Sequence, residues 1–320
     1  MRFVVVGAGA IGGVVGGHLA RADHDVAFVA RGEHGARIAA DGLRVRTPSG
    51  EFTVRTPVAT APAELGVGPD DIVLLAVKGQ DTAQALDALV DADAAPTTPV
   101  ACLQNGVGNE AQAAERFDRV YGVPVMAPTL HLEPGIVEAK AGPVPAILDI
   151  GCYPDGVDDT ARSVAAAFEA AGMVSEARPD IMRWKWAKLL LNLTNAVQAV
   201  CGPAAAMSEV GRAVHREGRA VLDAAGIDFA SGEEDRARRG DILRWTPTPD
   251  VGGSSWQSLA RGGTVETDHL TGEIVRLGKV VGVPTPVNTV LLARSQALAR
   301  ERAGPGAVPV EVILAEAATP

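Results

Sequence analysis

Two textures of apolar and polar positions divide this 320-residue chain. Up to about Gly151, short β-branched runs alternate with helical stretches. Arg2 to Val6 predicts a short apolar strand, Val14 to Ala20 a helix of small apolar residues, and His24 to Val29 a second strand. Gly42 to Pro57 alternates with period two around a Pro-Ser-Gly turn, which predicts a hairpin. Asp71 to Val77 and Pro99 to Gln104 predict buried parallel strands, followed by helices over Asp81 to Asp91 and Asn109 to Phe117. Three more apolar runs between Val123 and Ile150 are expected at the far edge of the same sheet. Val157 to Ala171 predicts an amphipathic helix. Repeated strand–helix units of this kind imply a doubly wound parallel sheet.

From Asp180 the period becomes helical. Helices are predicted over Arg183 to Val200, Met207 to Ala225, Val265 to Val281 and Pro286 to Arg300, followed by a Gly/Pro/Ala-rich tail. The fold class expected is α/β: a Rossmann-type doubly wound domain over 1–177, then an all-α domain over 178–320 for substrate binding and dimerisation. Ligands of open α/β sheets bind outside the carboxyl ends of the strands, so a cleft facing the helical domain is the expected site.

Between the first strand and the first helix lies Gly7-Ala8-Gly9-Ala10-Ile11-Gly12, the GxGxxG spacing of a dinucleotide turn. Gly7 permits the tight turn, Gly9 lets backbone approach a pyrophosphate, and Gly12 lets helix and strand pack closely. The second strand ends in Val29-Ala30-Arg31-Gly32, where an NAD-binding unit usually places a carboxylate for the ribose 2′-hydroxyl. Arg31 offers a planar fork suited to a 2′-phosphate, so NADP(H) is the expected cofactor. The bland alternatives are a Gly-rich turn and a solvated arginine.

Composition narrows the rest. A net charge of −10 argues against a nucleic-acid partner. No apolar run reaches the length of a membrane span, and a cytoplasmic location is expected. Three scattered cysteines and six histidines show neither a CxxC pair nor metal-ligand spacing, so no metal is expected.

A nicotinamide cofactor carries hydride, and hydride delivered to a carbonyl leaves charge on oxygen, which a general acid or cation must meet. Lys188 lies in the apolar run Trp184-Lys185-Trp186-Ala187-Lys188-Leu189-Leu190-Leu191-Asn192, with Asn192 four residues on along the same face. Partial desolvation there would lower an ammonium pKa, whereas a snorkelling lysine is the plain reading. Lys185, one turn earlier, competes for the role. Asn105 and Lys78 each close a strand; an Asn-Gly turn and a surface lysine are their structural readings. Glu266 is expected to begin a helix, where it could be a cap. Ser254 and Ser255 could bind a carboxylate or cap a helix starting at Trp256, and Asn288 is more often a cap.

Taken in order, GAGAIGG, Arg31, Lys78, Leu103-Gln104-Asn105-Gly106-Val107-Gly108, Lys188 with Asn192, Gly253-Ser254-Ser255 and Val265-Glu266-Thr267-Asp268-His269-Leu270-Thr271-Gly272 resemble the ketopantoate reductases over nearly the whole chain. The resemblance implies reduction of 2-ketopantoate with NADPH to pantoate, a coenzyme A precursor. It also implies roles: Lys188 donates the proton, and Glu266 binds a substrate hydroxyl and helps position that lysine. Asn105 contacts cofactor ribose or substrate, Lys78 the cofactor, and Asn192, Asn195, Ser254 and Ser255 the substrate. A small 2-oxo acid is the expected partner, and a homodimer is among the expected assemblies. Four positions depart from the family pattern, all on the substrate side: Ala196 where an asparagine is usual, Ser258 in a run one residue short, and His269 and Thr271 for tyrosine and asparagine. The alternatives are a related reductase of another 2-oxo acid or ketone, and a cofactor-binding regulator without catalysis. Retention of Lys188, Asn192 and Glu266 speaks against the regulator.

Overall fold

The computed structural model describes residues 1–244 and 252–319. The chain forms two compact units that divide after Lys185, and the stretch beginning at Ser231 returns to the first. The boundary expected after residue 177 thus lies a few residues before this division, which falls inside a helix.

In the first unit, the elements run β1 (Arg2–Val6), α1 (Ala10–Arg21), β2 (Asp25–Val29), α2 (Gly32–Asp41), β3 (Leu43–Thr47), β4 (Gly50–Val54), β5 (Val58–Ala59) and β6 (Ile72–Leu75). Then come α3 (Thr82–Val90), β7 (Val100–Cys102), α4 (Asn109–Ala114), β8 (Val120–Gly122), β9 (Thr129–Leu130), β10 (Ile136–Ala139), β11 (Gly151–Cys152) and α5 (Asp159–Ala170). Seven strands form the main sheet in the order β11-β8-β7-β6-β1-β2-β5, parallel except for β11. Strand order reverses about β1, with β2 on one side and β6 on the other. That is the switch point at which such sheets bind ligands. Phe3 and Val5 of β1 are buried in one apolar layer and Val4 and Val6 in the other, as a strand covered on both faces requires.

Two of the runs expected at the far edge go elsewhere. β9 and β10 join the β3–β4 hairpin in a second sheet, ordered β4-β3-β10-β9, and β11 closes the main sheet. The reason is the surface of α1. A Cβ at Gly16 would stand 2.5 Å from the Phe28 ring, and one at Gly17 2.6 Å from Val45. Paired glycines let α1 press against both sheets at once, so the hairpin and β10 cover its outer side.

α6 (Ile181–Asn192) starts in the first unit and continues into the second, which also holds α7 (Thr194–Cys201) and α8 (Glu209–Ala224). α9 (Gly232–Arg239) belongs to the first unit, tied there by Arg238 to Asp149 at 2.6 Å and by Arg183 to Glu234 at 2.8 Å. α10 (Ser254–Ala260), α11 (Thr271–Val281), α12 (Pro286–Glu301) and α13 (Val310–Ala317) complete the second unit. Three expectations change. The helix expected over Arg183 to Val200 breaks at Leu193 into α6 and α7. The helix expected from Val265 starts only at Thr271, after a single 3₁₀ turn over Thr267–His269. The helices α9 and α13 were not expected; α9 lacks an apolar stripe and starts from a Ser231–Glu234 capping box. Among the described residues, no helix is long and apolar enough to cross a membrane.

Candidate active site

Four consecutive parallel strands, β7-β6-β1-β2, lead at their carboxyl ends to Asn105, Lys78, the Gly7–Gly12 turn and Arg31. The order of the sheet therefore brings the candidate cofactor residues of the first unit to one edge. At the turn, Gly7 has φ +102° and donates its N–H to Val29 O at 3.0 Å. A Cβ there would lie 2.9 Å from the Ala76 carbonyl carbon, and one at Gly12 would meet Gly7 O at 2.1 Å. Gly9 differs: it is extended, and a Cβ on it would meet nothing within 4 Å among the described residues. No side chain caps α1 and no acidic residue lies in its first turn. The first N–H groups of a helix have no intrahelical partner, so an open, cationic helix end stands beside Gly9. This cradle fits a pyrophosphate.

Arg31 is exposed at the N-cap of α2, beyond β2. Lys78 is half-buried at the N-cap of a 3₁₀ turn over Gly79–Asp81, three residues past β6. Asn105 is likewise three residues past the end of β7, before Gly106 with φ +86°. Sequence reasoning missed His34 of α2. Its Nδ1 accepts the Gly135 N–H at 2.9 Å, which leaves Nε2 to donate to Ala8 O at 2.7 Å and hold the glycine turn from below.

It also missed a buried polar chain beneath these strand ends. Lys185 Nζ donates to Gln104 O at 3.1 Å and is ion-paired with Glu110. Gln104 Nε2 donates to Val77 O at 2.9 Å and to Thr82 Oγ1 at 2.8 Å. Thr82 Oγ1 donates to Asn109 Oδ1 at 2.9 Å, and Asn109 Nδ2 to Asn105 O at 2.9 Å. All five side chains are buried. Burial pushes the adjoining Cys102 thiol well up, the Glu110 charge adds to this, and Lys185 partly offsets it. The sequence signal was the density of polar residues in Gln104 to Glu110 after a fully apolar strand.

In the second unit, Lys188 is half-buried and Asn192 buried on the same face of α6. Half-burial of Lys188 agrees with the partial desolvation expected of it, while the more enclosed lysine of the run is Lys185, at 2 % exposure, and Glu110 engages it. Asn195 of α7 reaches Ser254 Oγ through a long contact of 3.5 Å, and Gln198 Oε1 accepts the Gly253 N–H at 2.7 Å. α7 and α10 thus bring Asn195, Gln198, Ser254 and the buried Ser255 together. α10 begins at Ser254 with Gly253 as its N-cap, so the serines belong to its first turn and do not cap a helix starting at Trp256. Glu266 is half-buried before the 3₁₀ turn, not at the start of a long helix. Asn288 is no cap: its Nδ2 donates to Glu217 Oε2 at 2.7 Å, and Glu217 itself accepts the Val287 and Asn288 N–H groups at the start of α12.

The model of the family described as "Ketopantoate reductase PanE/ApbA" matches residues 3–155, and its C-terminal counterpart matches 180–299. The chain belongs to the ketopantoate reductase family. It is 35% identical over 303 residues to the 2-dehydropantoate 2-reductase of Halobacterium salinarum, covering 90% of this chain and 95% of that one. It is 30% identical over 303 residues to the enzyme of the same name from Pyrococcus horikoshii, covering 92% and 96%. Among solved structures, a PanE/ApbA family ketopantoate reductase from Ralstonia eutropha superposes with a TM-score of 0.80 at 33% identity, covering 94% of this chain and 99% of the other. A D-mandelate dehydrogenase bound to NADH and anilino(oxo)acetate gives 0.81 at 21% identity over 94% and 99%, a likeness of fold.

Proposed function

We propose that this member of the ketopantoate reductase family reduces 2-dehydropantoate to pantoate, taking hydride from NADPH and a proton from Lys188. The observation that carries the reading is the match of both family models, over 3–155 and 180–299, ranges within which the candidate site residues fall, with 30–35% identity to curated 2-dehydropantoate 2-reductases. In this reading the Rossmann-type part holds NADPH. Gly7, Ala8, Gly9, Ala10, Ile11 and Gly12 take the pyrophosphate at the open end of α1, and Arg31 takes the 2′-phosphate. Lys78 and Asn105 meet the cofactor from the ends of the neighbouring strands. The helical part binds the 2-oxo acid, with Ser254, Ser255, Asn192 and Asn195 toward its polar groups and Glu266 on a hydroxyl.

NADPH supplies hydride to the carbonyl carbon when bound. The ketone oxygen gains the electron pair of the C=O bond, and the Lys188 ammonium gives it a proton, so ketone, NADPH and one proton become alcohol and NADP⁺. A cation at that oxygen stabilises charge that exists only as the hydride arrives, and so lowers the barrier without tightening ground-state binding.

The test is the rate of NADPH absorbance loss with a panel of 2-oxo acids at equal concentration. Ketopantoate is expected to give the highest kcat/KM. Higher kcat/KM with another 2-oxo acid, or no turnover of ketopantoate, overturns the substrate assignment.

A further inference from the structure

The buried chain of side chains beneath β6 and β7 holds main-chain carbonyls at both strand ends. Gln104 Nε2 grips Val77 O, the carbonyl before Lys78. Lys185 Nζ grips Gln104 O, the carbonyl before Asn105, and Asn109 Nδ2 grips the carbonyl of Asn105 itself. Thr82 Oγ1 joins the halves, accepting from Gln104 and donating to Asn109. Gln104 Nε2 donates to both Val77 O and Thr82 Oγ1, so turning that amide over would break two bonds of the chain at once. Lys185 and Glu110 are 2 % and 0 % exposed. A buried ion pair of this kind is a poor source of stability, because apolar residues of similar volume commonly serve as well or better. Its effect is directional: with Glu110 fixing the ammonium, one of its hydrogens points at the Gln104 carbonyl.

We propose that Lys185, Gln104 and Thr82 are positioning residues for the cofactor, fixing the peptides that present Lys78 and Asn105 at the ends of β6 and β7. The inference rests on the reading of NADPH as cofactor. None of the three touches the cofactor in this proposal; they act through the two strand-end peptides. Lys185, which from sequence competed with Lys188 for the acid role, is thereby assigned a different one.

The test uses isosteric variants of the whole chain. Thr82→Val keeps shape and removes the hydroxyl link, whereas Thr82→Ser restores it. Lys185→Met with Glu110→Leu removes the pair without stranding a buried charge. NADPH binding is read by fluorescence titration, melting by circular dichroism, and kcat and KM with ketopantoate. Thr82→Val and the double variant are expected to raise the NADPH Kd about tenfold and to lower kcat, since small misplacements of positioning groups cost up to about a hundredfold. Melting of the double variant should stay near that of the wild type, Thr82→Val should lose only the few degrees that leaving Asn109 Oδ1 without its donor costs, and Thr82→Ser should recover most of the affinity. Wild-type Kd and kcat in both Thr82→Val and the double variant would overturn the proposal. So would loss of binding that only tracks a fall in melting temperature across the set. A wild type that binds NADPH but ignores ketopantoate sinks the substrate reading and leaves the binding titration as the test. A wild type that does not bind NADPH overturns both.

Discussion

Gly9 and Gly12 stand three residues apart in one turn, and substitutions at the two should fail in opposite ways. At Gly12 a new Cβ would meet Gly7 O at 2.1 Å, Ala76 Cβ at 2.9 Å and Val5 Cγ1 at 3.0 Å. The first of these is backbone and cannot swing aside. Gly12→Ala therefore overpacks the β1–α1 junction at a cost of about 1–3 kcal/mol. For a unit of this size each kcal/mol moves melting by about 2–4 °C, so a fall of roughly 2–12 °C is expected. Gly9 is extended at φ −68°, ψ −159°, and its Cβ would enter space with none of the described residues within 4 Å. Gly9→Val should melt within about 2 °C of wild type, as surface substitutions with no clash stay within about 0.5 kcal/mol. Its isopropyl group would occupy the approach to the first N–H groups of α1. Hydrogen bonds to a charged group are worth about 1.5–3 kcal/mol each, so losing one weakens NADPH by about ten- to a hundredfold. Thermal melting with and without NADPH, beside fluorescence titration, reads both effects. A Gly9→Val protein that binds NADPH like wild type would reduce the glycine pattern to a turn. A Gly9→Val protein that melts far below wild type would refute the geometric reasoning.

Arg31→Ala should weaken NADPH far more than NADH, and equal titration curves for the two cofactors on the wild type would remove Arg31 from the 2′-phosphate. Lys188→Ala should lower kcat by at least about a hundredfold with NADPH affinity nearly unchanged, the low end for a positioned general acid; near-normal turnover would take the proton from elsewhere. Glu266→Gln should raise KM for ketopantoate and lower kcat/KM with little change in melting, whereas loss of a mere cap would cost about 1 kcal/mol of stability and leave kinetics alone. His18 is held at a pKa of about 4, first by burial and then by the charge of Arg21. Below about pH 6.5 the unfolded chain binds a proton that the folded state refuses, so stability falls as pH drops from 6.5 toward 4, by up to about 3 kcal/mol. His18→Phe should flatten that part of the curve in denaturant titrations at each pH, and an unchanged slope would exclude His18 as its source.

The parallel sheet was legible because its strands carry apolar runs on both faces, and the turn was legible because glycine there answers to hard sterics. The second sheet was not. Its strands β9 and β10 are two and four residues long, and nothing within them says which sheet they join. That choice is made by Gly13 and Gly17 of α1, whose missing side chains leave room for Val137 and Val45. A helix pattern records which positions are apolar. It records less well that two faces of one helix are small enough to take two sheets. The break at Leu193 escaped for a similar reason, since Thr194 and Asn195 lie within an otherwise continuous helical period.

The two lysines of α6 show where sequence reading stops. Lys185 and Lys188 lie one turn apart in the same apolar run, so periodicity and local composition are nearly equal for both. What separates them is Glu110, 75 residues away in sequence and buried beneath the end of β7. A buried lysine needs its partner, and a carboxylate buried without a cation would be costlier still, so each residue is intelligible only through the other. The pairing speaks against Lys185 as a proton donor at a substrate, because its side chain is 2 % exposed and its ammonium is held by Glu110 and Gln104 O. Lys188, half-buried and on the face it shares with Asn192, is the lysine to which the proposed function gives the proton transfer. Glu110 is itself part of the polar run that follows β7. The same seven residues, Gln104 to Glu110, thus supply a candidate cofactor contact in Asn105 and the buried support that orients it.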